Sequence, residues 1–89
     1  MKIRRTESFL KDYRGLPAEV KSRVEKQLAY LIENPRHPSL KVKKLKGTEK
    51  YEIRVSRGYR LTFRYIDEVL ELRRVGTHDI LKKEVRSRQ

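Results

Sequence analysis

Residues Tyr51–His78 read YEIRVSRGYRLTFRYIDEVLELRRVGTH, and over three short runs their apolar side chains alternate with polar ones. A period of two belongs to half-buried strands and not to a helix, so the stretch predicts three antiparallel strands. A three-residue loop, Ser56 to Gly58 with Gly58 left-handed, sets the first register. Val55 then faces Tyr59, Ile53 faces Leu61 and Tyr51 faces Phe63 on one side of the sheet. On the other side Arg54 stands opposite Arg60 and Glu52 opposite Thr62, with Arg64 further along. Like charges opposed across a ladder repel. The arginine pair therefore needs solvent, a detour of its long side chains, or an anion between the two, and a solvated basic face is as good a reading of the pattern as an anion site.

The second hairpin turns at Asp67-Glu68. A two-residue turn pairs Tyr65 with Leu70, Phe63 with Leu72, Arg64 with Glu71 and Thr62 with Arg73, and it sets Val75 opposite Arg60. His78 then leaves the sheet at the end where Arg54, Arg57 and Arg60 lie. Upstream, Ile3 suits an edge strand. Thr6 is a fitting N-cap for a short helix carrying Phe9, Leu10 and Tyr13 up to Gly15. Pro17 opens a second helix, whose stripe of Val20, Val24, Leu28, Leu31 and Ile32 stops at Asn34-Pro35. The two helices form a hairpin that covers the apolar face of the sheet. The fold class is α+β: two N-terminal helices packed on a small, mainly antiparallel sheet of about four strands. The loop NPRHPS holds His37, read as a solvated side chain. Leu40–Gly47 alternates again around Leu40, Val42 and Leu45 and sets lysines beside the strands. Asp79–Gln89, DILKKEVRSRQ, reads as a helical turn followed by disorder. The chain reads as one domain, residues 1–89, with a short basic tail from about residue 80.

The net charge of +12 on 89 residues points to a polyanionic partner, nucleic acid first. From Lys41 to Arg64 nine basic residues stand against Glu49 and Glu52, so a surface of balanced ion pairs is not expected there. The sequence has no cysteine, which excludes disulfides, thiolate metal sites and a cysteine nucleophile. No apolar run approaches membrane-spanning length and none near the start resembles a signal peptide. A soluble cytoplasmic protein, with no membrane association, is expected.

Arginines converging with a histidine suit phosphate chemistry. Guanidinium forks bind phosphate oxygens and stabilise a pentacoordinate phosphorane, while imidazole exchanges a proton near neutral pH. RNA supplies its own nucleophile, so such a site needs no metal and no other cofactor. The lack of clustered carboxylates or of a His/Cys ligand set argues against a metal-dependent nuclease.

The stretch KLKGTEKYEIRVSRGYRLTFRYIDEVLELRRVGTHDIL, Lys44–Leu81, resembles the C-terminal sheet of the RelE/ParE superfamily of toxins from type II toxin-antitoxin modules, and the upstream helices and ENPR loop extend the likeness over nearly the whole chain. The resemblance implies a RelE-like fold and an mRNA endoribonuclease, an mRNA interferase, that cuts ribosome-bound mRNA in the A site, inhibits translation and is held inactive by an acidic antitoxin. The implied partners are that antitoxin, mRNA and the ribosome, with the toxin alone monomeric. Arg60 in GYRL matches the family arginine on the scissile phosphate, and Arg54 matches a basic position on the preceding strand. His78, in a YafQ-like Gly-Thr-His, matches the group that protonates the leaving oxygen. Lys43, Lys44 and Lys46 fall at basic positions, and with Arg57, Arg64 and Arg73 complete the expected RNA-binding set. Glu52 stands where RelE has a catalytic lysine, Gly58 where YafQ-like members have an aspartate, and Lys82 or Glu84 where members carry an aromatic. Two other functions fit the same fold: a ParE-like inhibitor of DNA gyrase and a non-catalytic basic RNA-binding module.

Overall fold

The computed structural model describes residues 1–86. Strand β1, Lys2–Arg5, is followed by helices α1, Glu7–Arg14, and α2, Ala18–Glu33. A 3-10 turn at Pro38–Leu40 leads to the two-residue strand β2, Lys43–Lys44. Strands β3, Tyr51–Ser56, β4, Tyr59–Ile66, and β5, Val69–Gly76, come next, and helix α3, Asp79–Arg86, ends the described chain. The sheet has five strands, in the order β1-β5-β4-β3-β2, and not about four. The additional strands are short edge pieces: β1 pairs in parallel with β5, Ile3 beside Leu70, and β2 sets Lys43 opposite Glu52 and Lys44 opposite Tyr51.

Thr6 caps α1 as its type predicts, its hydroxyl accepting from the Phe9 amide at 3.0 Å. Phe9 from α1 and Val24, Leu28 and Leu31 from α2 pack on Ile53, Val55, Leu61, Phe63, Leu70, Leu72 and Val75 of the sheet. Three residues assigned to apolar positions lie outside this core: Leu10, Ile32 and Val42 are exposed. Gln27 replaces Ile32 as the notable buried contact of α2, donating to the carbonyls of Arg54 at 2.8 Å and Ser39 at 3.3 Å. His37 is not simply solvated. Its ring stacks on Tyr30 with centroids 3.8 Å apart, and its Nδ1 lies 2.8 Å from the Ser39 hydroxyl.

Both hairpins keep their predicted pairing near the middle and depart from it at one bulge each. In β3–β4 the pairs Tyr51–Phe63, Glu52–Thr62, Ile53–Leu61 and Arg54–Arg60 hold, but Val55 is bulged and Ser56 pairs with Tyr59. The loop is therefore Arg57-Gly58, and Gly58 is not left-handed. The positive-φ positions are Lys41, Gly47 and Asp67, the last, at 55°, forming the second turn. In β4–β5 the pairs Tyr65–Leu70, Arg64–Glu71 and Phe63–Leu72 hold. Arg73 is then bulged, so Thr62 faces Arg74, Leu61 faces Val75, and Arg60 faces Gly76 in place of Val75. A bulge leaves ladder groups needing other partners. Here α1 and its cap supply them: the Thr6 hydroxyl donates to the Arg73 carbonyl at 3.0 Å, and Asp12 accepts from the Val75 amide at 3.1 Å. The Arg74 guanidinium closes the lock on the same Asp12 carboxylate, at 2.6 and 3.1 Å.

Asp79–Arg86 forms a helix of eight residues, longer than the expected turn; the tail from 87 to 89, expected to be disordered, lies outside the described residues. This helix lies on the polar face of the sheet, opposite α1 and α2. Gly76 allows the approach, because a Cβ there would meet Ile80 Cγ2 at 3.0 Å. No described helix is long and apolar enough to cross a membrane.

Candidate active site

The residues singled out from the sequence fall into two groups, one at the β3–β4 hairpin end and one around a cavity beside β2. At the hairpin end, Arg54 lies across the ladder from Arg60, which in turn lies across from Gly76. His78 follows Gly76 by two residues and is exposed, its carbonyl accepting from the Leu81 amide in the first turn of α3. Arg54 and Arg57 are exposed, and neither forms an ion pair among the described residues.

Arg60 resolves its opposition to Arg54 by a detour and is buried, 9% exposed. Its Nη1 folds under the tight turn and donates to the carbonyls of Ser56 and Tyr59, each at 2.9 Å, with Arg57 at 3.4 Å. Its Nε lies 3.7 Å from a carboxylate oxygen of Glu52. A planar guanidinium has five N–H groups in a fixed fork, and Nη2 keeps no protein acceptor among the described residues. Arg60 thus clips the turn and has few N–H groups left over for an anion.

The second group surrounds a cavity of about 710 Å³ lined by Lys44, Lys50, Arg64 and Arg73 with Thr48 and Glu49. Lys43 and Lys46 are exposed nearby, on β2 and just before Gly47. Arg64 and Arg73 are engaged here by acids, contrary to an unbalanced basic face. Arg64 Nε and Arg73 Nη1 donate to the same Glu71 oxygen at 2.7 and 2.8 Å, and Arg73 Nε donates to Glu84 at 2.7 Å. Thr62 donates to Glu84 at 3.2 Å, and Lys50 Nζ donates to the Glu84 carbonyl at 2.8 Å. Glu71 and Glu84 come from outside the Lys41–Arg64 stretch, so counting charges within that stretch missed them. Lys50, 7% exposed, is a buried cation that no motif had marked as part of the site. Its position immediately before β3, in phase with Glu52 and Arg54 on the polar side of the alternating run, was the available signal. Burial pushes its ammonium pKa down even though Glu84 opposes the shift.

Glu71 shows the opposite balance. Burial pushes its carboxyl up, but hydrogen bonds from Arg64 and Arg73, helped by their charges, outweigh burial and hold it below the ordinary carboxylate range. A depressed folded-state pKa contributes stability that is complete above the unfolded value, about 4.3, and is lost as pH falls through the lower folded value. Glu71→Gln should therefore cost about 2–3 kcal/mol near neutral pH, a buried-pair loss discounted for the partial exposure of Arg64. The gap in thermal midpoint between parent and variant should narrow as pH falls below about 4. A gap that stays constant over that range would contradict the charge-assisted role of Glu71.

No protein-family model and no curated protein matches the chain. Solved structures do. The chain superposes on YafQ from E. coli strain BL21(DE3) with a TM-score of 0.76 and 22% identity, covering 90% of this chain and 96% of that one. The YoeB/ParE toxin from Agrobacterium tumefaciens gives a TM-score of 0.75 and 21% identity over 88% of this chain and 99% of that one. The match to a chain of the intact E. coli RelBE toxin-antitoxin complex has a TM-score of 0.69 and reaches 34% identity over 85% of this chain and 94% of that one. With a third of its residues shared along almost the whole of that relative, and with the same fold, the protein belongs to the RelE/ParE superfamily of toxins from toxin-antitoxin modules.

Proposed function

We propose that this toxin is a metal-independent endoribonuclease that cuts ribosome-bound mRNA in the A site, and that an acidic antitoxin holds it inactive in the cytoplasm. The observation behind the reading is that Arg54 stands opposite Arg60 and Arg60 opposite Gly76, two residues before His78, with Arg54 and His78 both exposed. In the reaction the 2′-hydroxyl gives its proton to solvent as its oxygen attacks phosphorus, the bond from phosphorus to the 5′-oxygen breaks, and the 5′-oxygen takes up a proton. Arg54 and the Nη2 edge of Arg60 bind the non-bridging oxygens and stabilise the charge of the phosphorane. His78, as imidazolium, protonates the leaving 5′-oxygen. Lys43, Lys44, Lys46 and Arg57 hold neighbouring phosphates, to which Arg64 and Arg73 add the positive field of the cavity.

A non-catalytic RNA-binding module is the second reading, and the engagement of Arg60 by its own turn and by Glu52 favours it. Cleavage on programmed ribosomes with an mRNA codon in the A site separates the two. The expected products carry 2′,3′-cyclic or 3′-phosphate ends and form in EDTA. His78→Gln should slow the reaction about 10²-fold to 10⁴-fold, and Arg60→Ala at least about 10²-fold. A His78→Gln variant as fast as the parent would refute the catalytic assignment.

The antitoxin is argued from charge and kinship: a +12 protein suits an acidic partner, and the matched structures include the RelBE and DinJ-YafQ toxin-antitoxin complexes and a YoeB-YefM complex. Pull-down from the native host should recover a small acidic protein with the toxin. Recovery of ribosomes with no such protein would overturn the partner assignment.

A further inference from the structure

Away from the polar face, a cavity of about 430 Å³ opens between the middle of α2, the 3-10 turn and the upper part of β3. It exists because β2 is only two residues long and covers β3 no further than Glu52, leaving Ile53–Ser56 as an uncovered edge. Gln27, buried at 6% exposure, ties its walls together through the Arg54 and Ser39 carbonyls. Arg23 and Lys26 line it from α2, Lys41 from the left-handed residue after the 3-10 turn, and Arg54 and Arg57 from the hairpin. No carboxylate lines it. Among the described residues none of these five cations forms an ion pair. Arg64 and Arg73 differ in this respect, since acids from β5 and α3 hold them. Beside the cations stands an aromatic wall, the half-buried His37 ring stacked on Tyr30.

We infer that this cavity is a second RNA site, which holds backbone phosphates of a single strand on Arg23, Lys26 and Arg57 and stacks a base on His37. Unpaired cations tracking a backbone beside a stacking ring are what single-stranded RNA requires, whereas a small inorganic anion has no use for the ring. Arg54 lies on the cavity wall and also opposite Arg60, so a strand can pass from the cut site around the open edge of β3 toward α2. The inference rests on the reading of this toxin as an RNA-binding protein and does not depend on cleavage.

Anisotropy with a labelled 2′-O-methyl RNA of about twelve nucleotides tests it, since that strand lacks the nucleophile and fits the usual site size. The double variant Arg23→Ser, Lys26→Ser should weaken binding and reduce the log-log salt slope by about 1.4, the value for two lost single-strand phosphate contacts. Lys11→Ser with Arg14→Ser, which removes two exposed charges from α1, should change both much less. His37→Ala should lower RNA affinity about tenfold while leaving the salt slope and competition by pyrophosphate as in the parent. Equal effects from the two double variants would reduce the site to net charge and overturn the proposal. RNA binding unchanged by His37→Ala would show a phosphate-only pocket and overturn it as well. If ribosomal cleavage fails while this pattern holds, the catalytic reading falls and the second site stands; the reverse result removes the second site alone.

Discussion

Two buried carboxylates, Glu71 on β5 and Glu84 on α3, hold the polar side of the molecule together. Each is about 3% exposed and sits among cations that would otherwise repel one another on adjacent strands. Burying charge is costly unless every member is paired, and a half-satisfied network is worse than none. Here no buried side-chain nitrogen or oxygen among the described residues lacks a hydrogen-bond partner. Glu84 also fixes α3, because that helix has few apolar contacts beyond Ile80 and reaches the sheet through Thr62, Arg73 and Lys50.

The network sorts the basic residues by task. Lys50 is buried, Arg64 and Arg73 are partly exposed, and the charge of all three is largely answered by acids. Arg54, Arg57, Arg23, Lys26 and Lys41 form no ion pair among the described residues. Arg60 lies between these groups. The turn carbonyls and Glu52 hold it rigidly in place, which removes the entropy cost of ordering a long side chain but leaves fewer N–H groups for phosphate. Glu52, whose carboxylate lies 3.7 Å from the Arg60 Nε, adds an anion that restrains this arginine.

Strand period, the Thr6 cap, the stop at Asn34-Pro35 and the central pairs of both hairpins were legible because each is written in neighbouring residues. The bulges were not. The one at Arg73 depends on Thr6 and Asp12, more than sixty positions away in the chain, and the first hairpin is set by the fold of the Arg60 side chain under its own turn. The candidate site was half legible in the same sense. Alternation put Arg54 opposite Arg60 and carried His78 to the same end. Alternation also put Arg64 opposite Glu71, but the engagement of Arg73 by Glu71 and Glu84 depends on a bulge and on a helix that the polar segment DILKKEVR hardly suggests. Lys50 and the α2 cavity were missed because their partners meet only in three dimensions.

In the proposed mechanism His78 gives a proton to the departing 5′-oxygen. The most direct measurement compares an mRNA carrying oxygen at the scissile 5′ position with one carrying sulfur there, in programmed ribosomes, for parent, His78→Gln and Arg60→Ala. A thiolate leaves without protonation, so general-acid catalysis has little to add. The account predicts that His78→Gln is slow on the oxygen substrate and close to the parent on the sulfur one, while Arg60→Ala is slow on both. An equal defect of His78→Gln on the two substrates would contradict it.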